Sequence, residues 1–152
     1  AAFEVRLEQR PVAEQHADGY WWADLTADAT LESDYILLEL WLHPPAGPAW
    51  NPPTRARIDR AVRSILDRQL ADGGFNIYAK GPSEISASVK AYFALKVGGL
   101  AVDDPRMERL RRRILELGGI QAANSYTKIN LSLFNIFANL LHLLMALTGE
   151  RD

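Results

Sequence analysis

The sequence predicts an all-α protein built from repeated helical hairpins. Three observations support this fold class: apolar residues recur at spacings of three and four, Pro and Gly pairs separate the helical stretches, and a short turn motif occurs twice. The chain has 152 residues, of which 48% are apolar and 24% charged, and its net charge is -2. This composition is typical of a globular protein, so we expect residues 1–152 to form a single domain.

Five stretches are predicted to be helical: about residues 29–43, 54–70, 83–98, 104–118 and 125–147. The first has one apolar stripe, formed by Leu31, Tyr35, Leu38 and Leu42. It ends at Pro44-Pro45, because Pro lacks the backbone N–H that a helix needs. The second has one apolar face, formed by Ile58, Val62, Ile65, Leu66 and Gln69. Asp72-Gly73-Gly74 then stops it.

The next two helices have recognisable boundaries. Ser83 is the predicted N-cap of the third, which ends at Gly98-Gly99. Asp104 is the predicted N-cap of the fourth, with Pro105 at the first helical position. The buried stripe of this fourth helix is predicted to be Met107, Leu110, Ile114 and Leu117, and Gly118-Gly119 ends it.

The fifth predicted helix has no charged residue between Lys128 and Glu150. A membrane span is disfavoured, because the apolar run is short and one polar stripe follows it, formed by Ser132, Asn135, Asn139 and His142. We therefore expect a central or interface helix, with its polar stripe facing solvent or another copy. The candidate interface residues are Phe134, Phe137, Leu140, Leu141 and Leu144.

A turn motif repeats after 54 positions, from Gln15 to Gln69. The repeated residues are Gln15, Gly19 and Trp21 in the first copy and Gln69, Gly73 and Phe75 in the second. Gly permits a tight reversal, the ring stacks over the turn, and Gln can bond nearby backbone groups. A third copy near Gln121 lacks both the Gly and the ring. The repeating unit is a turn followed by a pair of helices.

This spacing, in which three residues separate Gln from Gly and one residue separates Gly from Trp, is that of the QW motif. Together with the sequences that flank the motif, it makes residues 15–134 resemble bacterial squalene-hopene cyclases. Phe75 replaces the usual Trp of the second copy, and the sequence departs from the family after Phe134. The resemblance implies part of the N-terminal α/α barrel, a toroid of helix pairs. It also implies that the initiating acid belongs to an Asp-x-Asp-Asp motif in the other barrel, and this chain has no such motif.

No catalytic residue, metal ligand or cofactor site is predicted. The only adjacent acid pair, Asp103-Asp104, is explained as a helix cap. His16, His43 and His142 lack metal-type spacing, and the chain has no Cys. The charge balance argues against a nucleic-acid partner. The charged first residues are unlike a signal peptide, which predicts a cytoplasmic protein, although the resemblance implies association with a membrane surface for full-length members.

These observations suggest three possible functions. The first is a scaffold fragment or engineered derivative of a cyclase barrel, without catalysis of its own, that completes its core as a homo-oligomer, with a dimer favoured. The second is a subunit of a terpene cyclase whose catalytic Asp comes from a partner. The third is a module that binds an isoprenoid or another hydrophobic ligand.

Overall fold

The computed structural model describes residues 15–20, 27–45 and 50–134. These ranges contain no strand, and their helices are α1 (Thr30–Leu42), α2 (Arg55–Asp67), α3 (Ile85–Val97), α4 (Pro105–Glu116), the 3-10 helix Ile120–Ala122 and α5 (Ser125–Leu133). The predicted all-α class is confirmed. Each α-helix begins within two residues of its expected start. The part of the fifth predicted helix after Phe134 lies outside the described residues.

The helices form two layers. In the inner layer α3 packs between α1 and α5, and in the outer layer α2 lies against α1 and α3 while α4 lies against α3. The outer helices α2 and α4 each bury one apolar stripe, which includes Ile58 and Ile65 in α2 and Leu110 and Ile114 in α4. The inner helix α3 is instead buried at every position from Ser86 to Leu95.

Small side chains explain how α3 can be enclosed on all sides. Ala87, Ala91 and Ala94 are almost inaccessible to solvent and keep the neighbouring helices close. The larger Phe93 and Leu95 fill the spaces between the layers. The helix therefore forms the centre of the hydrophobic core.

Polar contacts join the layers at the helix ends. The Arg55 guanidinium at the start of α2 donates to the Gly98 carbonyl, just after α3, at 2.7 Å. The Thr54 hydroxyl donates to Glu39 Oε2 of α1 at 2.5 Å, and this hydrogen bond holds the pKa of the Glu39 carboxyl below its usual value. The beginning of α2 is thereby fixed to both inner helices.

Most of the expected apolar stripe of α1 is exposed, whereas its fourth member, Tyr35, is half-buried against the core. Leu31 is 64% exposed, and Leu38 and Leu42 are each more than half exposed. The face of α1 that packs on the core is formed instead by Ser33, Ile36, Leu37 and Glu39. The reason is that α1 has apolar side chains on two faces, and only one of them contacts α3.

Two expectations about helix ends were wrong. Ser83 does not cap α3, because its hydroxyl donates to both carboxylate oxygens of Asp72, at 2.7 and 2.8 Å. Glu84 is the N-cap and accepts from the Ala87 N–H at 2.7 Å. Gln69 does not lie on a helix face, because α2 ends at Asp67 and Gln69 belongs to the following turn. Asp104, by contrast, caps α4 and accepts from the Arg106 N–H at 2.8 Å.

Candidate functional site

The two copies of the repeated motif have the same backbone turn. Gln15 Nε2 donates to the Gly19 carbonyl at 2.6 Å, and Gln69 Nε2 donates to the Gly73 carbonyl at 2.9 Å. Each Gly N–H closes the turn on the carbonyl three residues earlier, that of His16 or of Leu70, at 2.8 and 2.9 Å. In each copy, the Gln side chain therefore stabilises the chain reversal by a hydrogen bond within the turn. The assignment of these turns to the QW motif stays a prediction.

Gly19 and Gly73 share a left-handed backbone conformation, with φ of +87° and +89°. Their surroundings differ. A Cβ at residue 73 would lie 2.8 Å from the backbone carbon of Arg109, whereas one at residue 19 would meet, among the described residues, only Gln15 Nε2, at 3.9 Å. The second turn therefore needs Gly for its conformation and for the close approach of α4, whereas no described helix approaches the first turn in this way.

The second turn is tied to both neighbouring helices. Gln69 Nε2 also donates to the Arg106 carbonyl of α4 at 3.0 Å. Phe75 is 1% exposed; its N–H donates to Ser88 Oγ at 3.0 Å, and its carbonyl accepts from the Glu84 N–H at 2.8 Å. The ring of the second copy is thus a core residue at the start of α3. Trp21, the corresponding ring of the first copy, lies outside the described residues.

Asp72 organises the polar side of this turn. Partial burial opposes its ionisation, but hydrogen bonds from the Gly74 N–H and the Ser83 hydroxyl and the charge of Arg113 lower the pKa of its carboxyl below the usual value. The Arg113 Nε lies 3.1 Å from Asp72 Oδ2. The carboxylate therefore joins the turn to α4 and to Ser83, which lies just before α3.

A groove lies between α1 and α5, and we call it the inner groove. Its volume is about 300 Å³, and it is lined by Asp34, Leu37, Leu38, Trp41, Tyr126, Asn130, Leu133 and Phe134. One end is closed where the Trp41 and Phe134 rings meet edge to face, with centroids 6.1 Å apart. Apolar and aromatic side chains dominate its wall, which suits an apolar occupant.

Lys90 contacts two residues of the groove wall, Asp34 and Tyr126, away from the Trp41 and Phe134 rings. It is on α3, is 5% exposed, and its Nζ is 2.9 Å from both carboxylate oxygens of Asp34 on α1. The same Nζ lies 4.7 Å from the centroid of the Tyr126 ring on α5, a distance typical of a cation–π contact. One buried cation therefore connects all three inner helices. Because Asp34 and Tyr126 precede Trp41 and Phe134 in their helices, α1 and α5 run in the same direction.

Two acidic side chains, Asp104 and Asp34, are paired with basic groups. Hydrogen bonds from the Arg106 side chain and backbone lower the pKa of Asp104 to about 2, so this carboxyl is ionised near neutral pH. Asp34 is paired with Lys90 and faces the inner groove. The described residues of the inner groove therefore form an apolar surface with the Asp34–Lys90 ion pair at its edge.

The other predicted residues lie apart from the inner groove. His16 stacks on Tyr20, with ring centroids 4.5 Å apart, and His43 Nε2 lies 3.8 Å from Glu39 Oε2 at the end of α1. Of the candidate interface residues, Phe134 lines the groove. The remaining candidates and the third His lie outside the described residues: Phe137, Leu140, Leu141, Leu144 and His142.

Sequence reasoning missed three residues of the groove wall, Asp34, Trp41 and Tyr126, and the cation that contacts two of them, Lys90. One signal was available, because Lys90 stands inside the otherwise apolar stretch from Ser86 to Leu95. A charged side chain in a helix that is apolar on all sides requires a partner. Nothing in the sequence identified that partner as Asp34.

Comparisons with known proteins agree with this architecture. The profile of the family described as the squalene-hopene cyclase N-terminal domain matches residues 6–139 of this chain. The chain belongs to that family. The match extends on both sides of the region, residues 15–134, on which the sequence resemblance was based.

Individual cyclases show the same relationship. The squalene-hopene cyclase of Zymomonas mobilis is 43% identical over 120 residues, which cover 79% of this chain and 17% of that enzyme. The enzyme of Bradyrhizobium diazoefficiens is 38% identical over 122 residues, with 80% and 17% covered. That of Alicyclobacillus acidocaldarius is 32% identical over 119 residues, with 78% and 18% covered. The chain therefore corresponds to less than a fifth of these relatives.

Among the described residues, no helix is both long enough and apolar enough to cross a membrane.

The two turn glycines allow a matched test of crowding. We expect Gly73→Ala to lower the free energy of unfolding by about 3 kcal/mol, because it adds a clash with the α4 backbone to the cost of a left-handed residue. Gly19→Ala has only the conformational cost and should lose about 1 kcal/mol. Urea denaturation of both variants measures the difference. Equal losses would show that α4 does not approach the second turn closely.

A second prediction concerns the buried cation. Asp34→Leu leaves the Lys90 ammonium buried without a carboxylate and should destabilise the fold by about 3 kcal/mol. Lys90→Met should cost less, about 1 kcal/mol, because the Asp34 carboxylate that remains can be hydrated in the open groove. The double variant should be more stable than Asp34→Leu alone. A double-mutant cycle by chemical denaturation tests this order, and a larger loss in Lys90→Met would contradict it.

Proposed function

We propose that this chain is a non-catalytic wall segment of a squalene-hopene cyclase N-terminal barrel, and that the isolated chain covers its open inner face by self-association. The observation that supports the proposal is the set of large apolar side chains exposed on the inner helices. They are Leu31, Leu38, Trp41 and Leu42 on α1 and Tyr126, Ile129 and Leu133 on α5. Apolar patches of this kind on soluble proteins are typical of contact surfaces.

The position of these residues supports a role as one side of a larger enclosure. All of them belong to α1 and α5, the two helices that flank α3, which is buried from Ser86 to Leu95. The outer helices α2 and α4 instead present arginines to solvent, including Arg60, Arg63 and Arg112. One side of the segment is therefore suited to water and the other to an apolar neighbour.

Family membership supports a second candidate, in which the segment acts inside an active cyclase. Its relatives are named squalene-hopene cyclases, and the chain covers less than a fifth of their length. In this case the inner face would line an apolar interior, and the catalytic Asp would come from the remaining polypeptide. Supplying the missing portion of a cyclase as a separate chain should then yield cyclised product from squalene. Lack of product from a complex shown to have assembled would exclude this candidate.

The inner groove also supports binding of a single hydrophobic ligand. Its apolar lining and volume of about 300 Å³ suit one end of an isoprenoid chain. Mass spectrometry of the purified protein under native conditions tests this third candidate. The absence of both co-purified lipid and binding of added terpenoids would exclude it.

Solution mass tests the proposed self-association. We expect light scattering to give a dimer that dissociates on dilution. Leu38→Glu should weaken the dimer by at least about tenfold, because a carboxylate would be buried in the contact. The matched control is Ile77→Glu, in the loop before α3, since Leu38 and Ile77 are similarly exposed, at 51% and 49%. A folded monomer at all concentrations, or equal weakening by both variants, would contradict the proposal.

A further inference from the structure

The inner groove has polar groups in its wall as well as apolar ones. Most of its lining is apolar or aromatic, but Asp34 on α1 and Asn130 on α5 also belong to it. Small-molecule sites commonly combine a mainly apolar wall with a few polar groups that fix the orientation of the ligand. The chemistry of these two side chains therefore limits the polar part of any ligand.

Asp34 is the accessible member of an ion pair whose cation is buried. Its side chain is 37% exposed, whereas that of Lys90 is 6% exposed. Lys90 Nζ donates to both carboxylate oxygens at 2.9 Å, and each oxygen has a further lone pair that can accept a hydrogen bond. Because the pair has no net charge, a charged head group would lose hydration without gaining a free counter-ion. An uncharged donor, by contrast, can bond to the exposed carboxylate.

Asn130 supplies a complementary group on the other wall of the groove. It is half-buried, and its side chain has no hydrogen-bond partner among the described residues. Asn130 follows Tyr126 by one helical turn, and Tyr126 lies level with Asp34 because both contact Lys90. The amide can donate to a ligand oxygen. A hydroxyl group, which both donates and accepts, therefore suits the carboxylate and the amide together.

The remainder of the groove determines the apolar part of the ligand. Trp41 follows Asp34 by seven residues on α1, a distance of about 10 Å along the helix axis. The wall over this length includes Leu37 and Leu133, and it ends where the Trp41 and Phe134 rings meet. An extended alkyl chain as long as that of octanol spans this distance.

We propose that the inner groove binds an uncharged aliphatic alcohol. Its hydroxyl donates to the Asp34 carboxylate and accepts from the Asn130 amide, and its alkyl chain extends toward Trp41 and Phe134. This inference rests on the third candidate function, a hydrophobic ligand in the groove, and adds the chemical class of that ligand. A fully apolar molecule would cover the two polar groups without bonding to them, which weakens binding.

A set of ligands of equal length tests the head group without changing the protein. Octanol, octanoate, octylamine and heptyl methyl ether are titrated into the full chain, and NMR of the isotope-labelled protein follows binding, with the Asn130 side-chain amide as the reporter of location. The ether should bind at least about tenfold more weakly than octanol, because it cannot donate to the Asp34 carboxylate. The two charged ligands should also bind at least about tenfold more weakly, because their charges lose hydration.

A pair of matched variants tests the position of the hydroxyl. Asn130→Leu should weaken octanol binding about fivefold, because it removes one hydrogen bond between neutral groups. The control is Asn51→Leu, in the exposed loop before α2, which should leave the affinity unchanged. Circular dichroism of both variants confirms that the helices are retained, so that weaker binding is not loss of folding.

The outcomes separate the head group from the ligand candidate itself. Equal affinity for octanol and the ether, or tighter binding of a charged ligand, would overturn the alcohol proposal but not a hydrophobic ligand in the groove. An equal effect of Asn130→Leu and Asn51→Leu on octanol binding would also overturn the alcohol proposal. Absence of binding by all four ligands would overturn both.

Discussion

The buried ammonium group of Lys90 is the constraint on which the arrangement of the inner layer depends. A charge inside the core is stable only if other groups replace its hydration. The Asp34 carboxylate of α1 replaces it on one side and the Tyr126 ring of α5 on the other. Both helices must therefore stay close to the middle of α3, and their separation on either side of it creates the inner groove.

The same contact explains why the exposed face of α1 was not foreseen. Periodicity identifies the faces of a helix that are apolar, but not the one that a neighbour covers. The outer helices α2 and α4 have one apolar face each, and there the predicted stripe and the buried stripe largely coincide. Helix α1 has two, and the pairing of Asp34 with Lys90 turns Ile36 and Leu37 toward the core while Leu31 and Leu38 remain exposed. That choice depends on a contact between residues 56 positions apart.

The turns show a similar division between local and distant causes. Gln at the start of each turn, Gly four residues later and the brace between them could be predicted, because all the groups lie within one short stretch. The roles of Ser83 and Arg113 could not, because Asp72 meets them only after α3 and α4 have packed. The first copy differs at this point, since Ala29 stands 54 positions before Ser83 and has no hydroxyl to offer Asp18. Similar sequences therefore form the same turn but make different contacts with the rest of the fold.

The chemistry of the inner face fits the proposed role as a wall segment. Asp34, the one acid in the lining of the groove, is neutralised by Lys90, so the groove presents little net charge to its surroundings. Contact of this surface with an apolar molecule or an apolar helix is favourable, and its exposure to water is unfavourable. An apolar surface on α1 and α5 is therefore required in both roles, lining the interior of a cyclase and pairing with another copy. The two proposed roles differ only in what covers this surface, which is the remaining polypeptide of a cyclase in one role and a second copy of the chain in the other.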